Sequence, residues 1–342
     1  MKLSSISEID FRKIPLKIRL LIYDYATELH LSGLNTIQIK KSIFKNFGVS
    51  VRTNTIYRWT SGRNKPFGLI RIFREEPSKE LSYIIGVYLG DGNIKSKIIN
   101  YQYIFSVKVK DKDFANAVSI SLAKLLQKNK PYALLKFNDK TRGNRQRYEV
   151  QVGNRMLHEF LSSPLEKLLI FASKFPAEFL RGLFDSDGFT SISAKKDFTV
   201  GVGLVGTDIV LLEFVQFILN RTFKIKSGIS KSVHKGSSVI IWGKKYVANK
   251  DVFSLNIDKF SDVKKFISDI GFSIKRKQEK MLDAIFMKDN FSKKYTAEIW
   301  RKSYVKIGRE WVKIREVDSG GSPEDGNNQT SYGFEPSTIP GI

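Results

Sequence analysis

The chain has 342 residues, enough for two or three domains, and 42% of them are hydrophobic. It has no cysteine and three histidines, which excludes disulfides and thiolate metal sites; any metal would be held by oxygen and be a hard cation such as Mg2+. The formal net charge is +24, and because residues 317–342 carry four acids and no Lys or Arg, the body without them stands at +28. Such an excess calls for a polyanionic partner, nucleic acid ahead of a merely solvated Lys-rich surface. No stretch is apolar for long enough to cross a membrane and no secretory signal is present, so an intracellular location (cytoplasm or organelle matrix) and no membrane partner are expected.

The first unit is expected over residues 1–76. Pro15 to His30 reads as an amphipathic helix, with Ile18, Leu21, Ile22, Tyr25 and Leu29 at helical spacing. "SGLN" (32–35) breaks it, Asn35 caps the next helix, "TIQIKKSIFKNF", and Gly48 ends that one. In "VSVRTNTIYRWTSG" a turn is followed by a capping Thr53 and a short helix that stops at Gly62. Two helices joined this way are expected to form a helix-turn-helix. Ile56 and Trp59 face inward, and Arg52, Asn54, Thr55 and Arg58 stand free to contact DNA; a bundle without DNA contact is the plainer alternative. Fourteen Lys or Arg against six acids in this unit favour the DNA reading. "RNKPFG" (63–68) and "REEPSKE" (74–80) read as linker.

The body repeats one order of elements twice. Each repeat opens with an apolar helix that runs into an acid: "LSYIIGVYLGDG" (81–92), then "EFLRGLFDSDGF" (178–189), with Asp91 and Asp187 96 positions apart. In the first, strands near 93–99 and 102–109, a helix over 111–128, strands near 132–138 and 147–153 and a helical segment over 154–171 follow. In the second, strands near 189–194 and 198–205, the helix "TDIVLLEFVQFILNR", strands near 223–234 and 238–257, and the helices "KFSDVKKFISDI" and "KRKQEKMLDAIF" follow. The expected fold class is α+β: two pseudo-symmetric αββαββα halves, 77–175 and 176–316, after a small all-α domain. The second half includes a basic, aromatic-rich extension from 293, and 317–342, rich in Gly, Ser, Asn and Pro, reads as a disordered acidic tail.

Acids at a helix C-terminus oppose the macrodipole, so two in equivalent places need a cause. Each helix also carries a Gly, Gly86 or Gly182, that costs roughly 1 kcal/mol against Ala unless two backbones must approach closely. Packed in parallel against each other, the helices bring Asp91 and Asp187 together. Divalent cations relieve the repulsion, and a cation beside a scissile phosphate serves phosphodiester hydrolysis. A single copy would read as an ordinary Asp-Gly turn; two copies do not.

"IIGVYLGDG" (84–92) and "LRGLFDSDG" (180–188) resemble the two signature motifs of single-chain LAGLIDADG homing endonucleases, and the likeness in motifs and element order spans about 79–290. The resemblance implies paired motif helices at the interface of the halves and four-stranded sheets that saddle the DNA major groove. It implies that Asp91 and Asp187 bind Mg2+ (Mn2+ or Ca2+ can take its place for binding) with help from the carbonyls of Gly90 and Ser186. It further implies double-strand cleavage of a long, weakly palindromic target by a monomer, intron-encoded or free-standing. Leu89 departs from the acid usual at the sixth motif position, which Asp185 keeps. Lys110 and Lys275 look like the assisting basic residues of the family, although a Lys point charge serves a phosphate contact equally well.

Strand alternation leaves one sheet face to read DNA. Lys95 and Lys97, Tyr101 and Tyr103, Lys108 and Lys110 show that spacing. Lys140, Arg142, Arg145, Arg147, Lys195 and Lys196 sit in or beside turns, and Lys231 and Lys235 lie in later strands. The alternatives to a double-stranded DNA endonuclease are a maturase that binds intron RNA on the same fold and a regulator that has lost the chemistry.

Overall fold

The computed structural model describes residues 9–11, 14–64, 73–97, 102–140, 144–195, 197–241, 244–308 and 310–314. The 317–342 tail, Tyr101, Arg142 and Lys196 lie outside the described residues, as does the side chain of Lys97.

At the N-terminus, β1 (Ile9–Asp10) pairs in parallel with β2 (Val49–Ser50), around helices α1 (Leu16–Leu31), α2 (Thr36–Phe47) and α3 (Thr53–Thr60). Their core is Ile22, Ala26, Ile39, Ile43, Ile56 and Trp59. Asn35 caps α2 as expected: its side chain accepts from the Ile37 and Gln38 backbone N–H groups, and the Gln38 side chain reaches back to the Asn35 N–H. Two expectations fail. Arg52, not Thr53, is the N-cap of α3, and no side chain completes that cap. Ile18 and Leu21 are 40% and 58% exposed, since α1 turns Leu16, Ile22 and Ala26 to the core instead.

The first half runs α4 (Lys79–Leu89), β3 (Gly92–Lys97), β4 (Gln102–Val109), α5 (Lys112–Leu125), β5 (Leu135–Asp139), β6 (Arg145–Gly153), α6 (Arg155–Leu161) and α7 (Leu165–Ala172). The second runs α8 (Pro176–Ser186), β7 (Gly188–Ala194), β8 (Phe198–Gly206), α9 (Ile209–Phe223), β9 (Gly228–Val233), β10 (Ser238–Ile241), β11 (Lys244–Val247), β12 (Val252–Ile257), α10 (Phe260–Asp269) and α11 (Lys275–Asn290). It ends in α12 (Lys293–Ser303) and the hairpin β13 (Tyr304–Ile307) to β14 (Glu310–Lys313). The sheets have matching antiparallel orders, β3-β4-β6-β5 and β7-β8-β12-β9. The single strand expected over 238–257 is three, because β10 and β11 pair with each other as a separate hairpin. Among the described residues no helix is long and apolar enough to cross a membrane.

One core joins the halves, and α4 against α8 is its most extensive helix contact. The two glycines explain how close it is. A Cβ on Gly86 would run into the Phe179 carbonyl oxygen, and one on Gly182 into that of Tyr83. Gly90 meets the Ser186 side chain in the same way, so the 96-residue spacing of the sequence is the register of the contact. The core also reaches back past the expected boundary at 76: Phe73 is buried, its ring 5.3 Å from that of Phe160.

The basic extension covers a core face. Trp300 is fully buried and stacks on Tyr304 at 3.9 Å. Arg301 and Trp311 donate to the carbonyls of Ala194 and Ile192 on β7, the edge strand, which satisfies part of an otherwise open edge.

Candidate metal centre and nucleic-acid interface

Both motif helices end where they meet. Asp91 follows Gly90, the C-cap of α4, and Asp187 is the C-cap of α8. A Cβ on Gly90 would lie 3.2 Å from Asp187 Oδ2, which puts the two acids on one seam. Desolvation, and then the negative charge of Asp91, push the Asp187 carboxyl up to about 6, while Lys277 draws it down. Two crowded carboxylates with oxygen donors alone around them fit a hard divalent cation. Among the described residues there is no cluster of three or more acids and histidines, so the pair would be completed by backbone carbonyls and water.

Asp185, at the sixth motif position, is not part of this pair. It is 2% exposed and accepts hydrogen bonds from Tyr83 Oη at 3.0 Å and the Ser273 N–H at 2.9 Å. It ties α8 to α4 and to the segment before α11. Burial raises it to about 6 against those bonds and the Lys277 charge. Leu89 at the equivalent place lines a small recess of mixed character with Leu183, Leu212, Asp208 and Asp187 itself.

The lysine at the seam is Lys277, not the expected Lys275. Helix α11 starts after Ile274, and its inward stripe is Lys277, Lys280, Met281 and Ala284; Lys275 points outward, with only its backbone N–H held, by Asp113. Lys277 Nζ donates to the carbonyls of Phe184 (3.1 Å), Asp185 (3.1 Å) and Gly188 (2.7 Å). All three ammonium protons are thereby used at the negative end of α8, where a cation belongs. The Ser186 carbonyl is left out of this set. Burial pulls Lys277 down to about 8, opposed first by Asp185. An inward-facing lysine at helical spacing from Ile274 and Met281 was the signal for it in the sequence. Lys110 is exposed at the end of β4, its Nζ 3.1 Å from Glu310 Oε1 on the C-terminal hairpin.

The first sheet presents an open basic face. Register puts Lys95, Lys108, Arg145 and Arg147 on one side and Ile94, Phe105, Val107 and Val150 on the other, against the helices. Lys108 and Arg147 are paired, with Glu149 and Asp139. Tyr103 belongs to the helix side, its ring 5.4 Å from that of His158. Lys140 is exposed beyond β5.

The second sheet is different. Ser191, Ser193, Thr199, Gly201, Gly203, Ser230, Ser254 and Asn256 share its open face. Lys231 does not: it stands in register with Phe253 on the other side, and its Nζ is 2.8 Å from Asp251. Lys195 and Lys235 are exposed in turns, the Lys235 N–H donating to Asp251. In the N-terminal unit Arg52, Asn54 and Arg58 are exposed and Thr55 half-buried.

A seam of two motif helices between two matching four-stranded sheets defines the class, and the sequence comparisons agree. The model of the LAGLIDADG-like domain matches residues 174–271. Uncharacterized protein MJ0398 of Methanocaldococcus jannaschii is 35% identical over 261 residues, covering 76% of this chain and 91% of that protein. The chain belongs to the LAGLIDADG family. Similar solved structures include the homing endonuclease I-DmoI in complex with DNA and Mn (20% identity, 57% of this chain and 98% of that one, TM-score 0.41). Another is the homing endonuclease I-WcaI bound to its DNA recognition sequence (16% identity, 60% and 88%, TM-score 0.41).

Proposed function

We infer that the protein is a site-specific endonuclease that cuts both strands of DNA with a divalent metal, Mg2+ by preference. The observation that supports this is the pair Asp91 and Asp187, at two helix C-termini that meet, with the charge of one acting on the other. These two carboxylates would hold the metal, with the Gly90 and Ser186 carbonyls beside them. When bound, the cation supplies Lewis-acid stabilisation of the charge that develops on phosphorus and lowers the pKa of water. Lys277 neutralises the end of α8, which keeps the Asp187 backbone in place. Lys95, Lys97, Lys108, Arg145 and Arg147 position the duplex backbone over the first half, and the short polar side chains of the second sheet allow closer approach of base edges. The unlike faces imply a long, weakly palindromic target read by one chain. The N-terminal unit, through Arg52, Asn54, Thr55 and Arg58, extends the footprint past one end.

Selection of cut sites from a library of randomised duplexes, with Mg2+ and with EDTA, tests this reading. It requires one asymmetric site cut on both strands only with metal. Salt-dependent duplex binding with no cutting at any site would leave a DNA-binding regulator in its place.

A further inference from the structure

A cleft of about 600 Å³ opens at Ser186 and Gly188, on either side of Asp187, and runs along β7 to the β13–β14 hairpin. Arg276, Lys277, Lys280 and Lys306 line it, with Trp311 on the hairpin side and one acid, Glu310, among the described residues. Glu310 Oε1 is held from two sides. Lys110 Nζ, from the first half, lies 3.1 Å away and Arg276 Nη1, from the second, 3.5 Å away. Arg276 is itself fixed by both oxygens of Asp111, at 2.6 and 3.0 Å. Lys280 is 8% exposed, lines the cleft and has no hydrogen-bond or ion-pair partner among the described residues. An ammonium withdrawn from water without a partner is costly, and it is kept where an anion completes it. The cleft therefore holds more cations than its own acid satisfies.

We propose that this cleft is a phosphate-binding subsite for a strand of bound DNA, and that the Glu310 carboxylate occupies in the free protein the place a backbone phosphate takes in the complex. The proposal rests on the reading of the chain as a DNA-binding protein. Carboxylate and phosphodiester are both oxyanions, and Lys110 and Arg276 can hold either. The exchange is easy. The Glu310 pairs are about half exposed (Lys110 53%, Arg276 36%, Glu310 49%), and pairs of that kind are weak. The hairpin need not leave, because Trp311 anchors it to β7 independently of Glu310, as Arg301 anchors the preceding α12. The strand so held enters the seam on the Asp187 side, and Lys280, which the Glu310 charge reaches without direct contact, gains a hydrogen-bonding partner.

The test uses the full chain, a labelled mixed-sequence DNA duplex and salt titrations without divalent metal. Glu310→Gln is expected to bind about three- to tenfold more tightly than wild type, the release of two weak pairs. Glu298→Gln, an exposed acid of α12 outside the cleft, controls for the loss of one negative charge and should shift binding less than twofold. Lys306→Ala should weaken binding and flatten the slope of log affinity against log salt by about 0.9, the effect of one phosphate no longer neutralised. If Glu310→Gln binds no more tightly than Glu298→Gln and Lys306→Ala keeps the wild-type slope, the cleft is not a phosphate site, although the DNA reading stands. Absence of salt-dependent duplex binding by the wild type would overturn that reading and the cleft with it.

Discussion

Gly86 and Gly182 lie against each other's helices, each at a place where a side chain would strike the facing backbone. The contact is reciprocal, and it sets how far apart the helix ends, and so Asp91 and Asp187, can be. Gly86→Ala and Gly182→Ala should each destabilise the protein by about 2–4 kcal/mol, since the obstacle is a backbone carbonyl that cannot rotate away. Gly48→Ala, at a left-handed C-cap in the N-terminal unit with no neighbour near its Cβ, should cost about 1 kcal/mol. Urea unfolding of the three variants checks the order. Equal, small losses would mean that α4 and α8 are not in tight contact.

Lys277 and Lys275 separate two accounts of the seam. Lys277→Met leaves three carbonyls at the end of α8 without their donor and should cost about 3 kcal/mol. Lys275→Ala removes an outward side chain and should stay within about 0.5 kcal/mol of wild type. Denaturation midpoints decide between them, and the reverse order would return the seam to Lys275.

The raised Asp187 carboxyl has a consequence for stability against pH. Its folded pKa, about 6, is above the ordinary value, so the folded state holds the proton more tightly than the unfolded one. Its effect on stability is therefore most favourable below about pH 4, worsens as pH rises from about 4 to 6 and is level above that. Without divalent metal, Asp187→Asn should gain on the order of 1 kcal/mol over wild type near pH 8, discounted for solvent screening, and lose that gain below about pH 4. Mg2+ should raise the melting temperature of wild type and leave the variant unmoved. Thermal melts with EDTA and with Mg2+ across this range measure both effects; a variant less stable than wild type in EDTA at high pH contradicts the crowding of the pair.

Much of this fold was legible in the sequence because its two strongest constraints act locally and occur twice. An apolar helix with an interior Gly and an acid at the wrong end is a violation visible without any structure, and its repetition pointed to the seam, the halves and the pairing of the two acids. The N-terminal helices were legible through the Asn35 cap and the Ile56 and Trp59 spacing. The failures are tertiary. Ile18 and Leu21 fit a helical stripe as well as Leu16 and Ala26 do, and only the packing chooses. The β10–β11 hairpin lies in a stretch read as one strand, although Gly243 with Lys244 and Lys245, and then Asn249 to Asp251, are turn signals that divide it. Lys277 needed the start of α11 to be known to within a residue, since a shift of two positions exchanges it for Lys275. The role of the extension depended on β7 being an edge strand, which strand order alone decides.

Phe73 bears on where the two-half body begins. A chain starting at Phe73 should fold, keep the cut positions of the full protein and bind DNA with a shallower salt slope, about 0.9 less for each phosphate that the N-terminal unit neutralises. A chain starting at Pro77 lacks the buried Phe73 ring and should be about 3 kcal/mol less stable than the one starting at Phe73. Footprinting and urea unfolding of the two check this; an undiminished footprint would mean that the helical unit does not touch DNA.

The central claim is that Asp91 and Asp187 together hold the metal for cleavage. Once a cut duplex has been recovered, wild type, Asp91→Asn and Asp187→Asn are compared on it in Mg2+, with cleavage and binding followed in the same samples. The account predicts that each variant binds the duplex about as well as wild type and that neither makes the double-strand cut. Double-strand cutting at wild-type rates by both variants would contradict it.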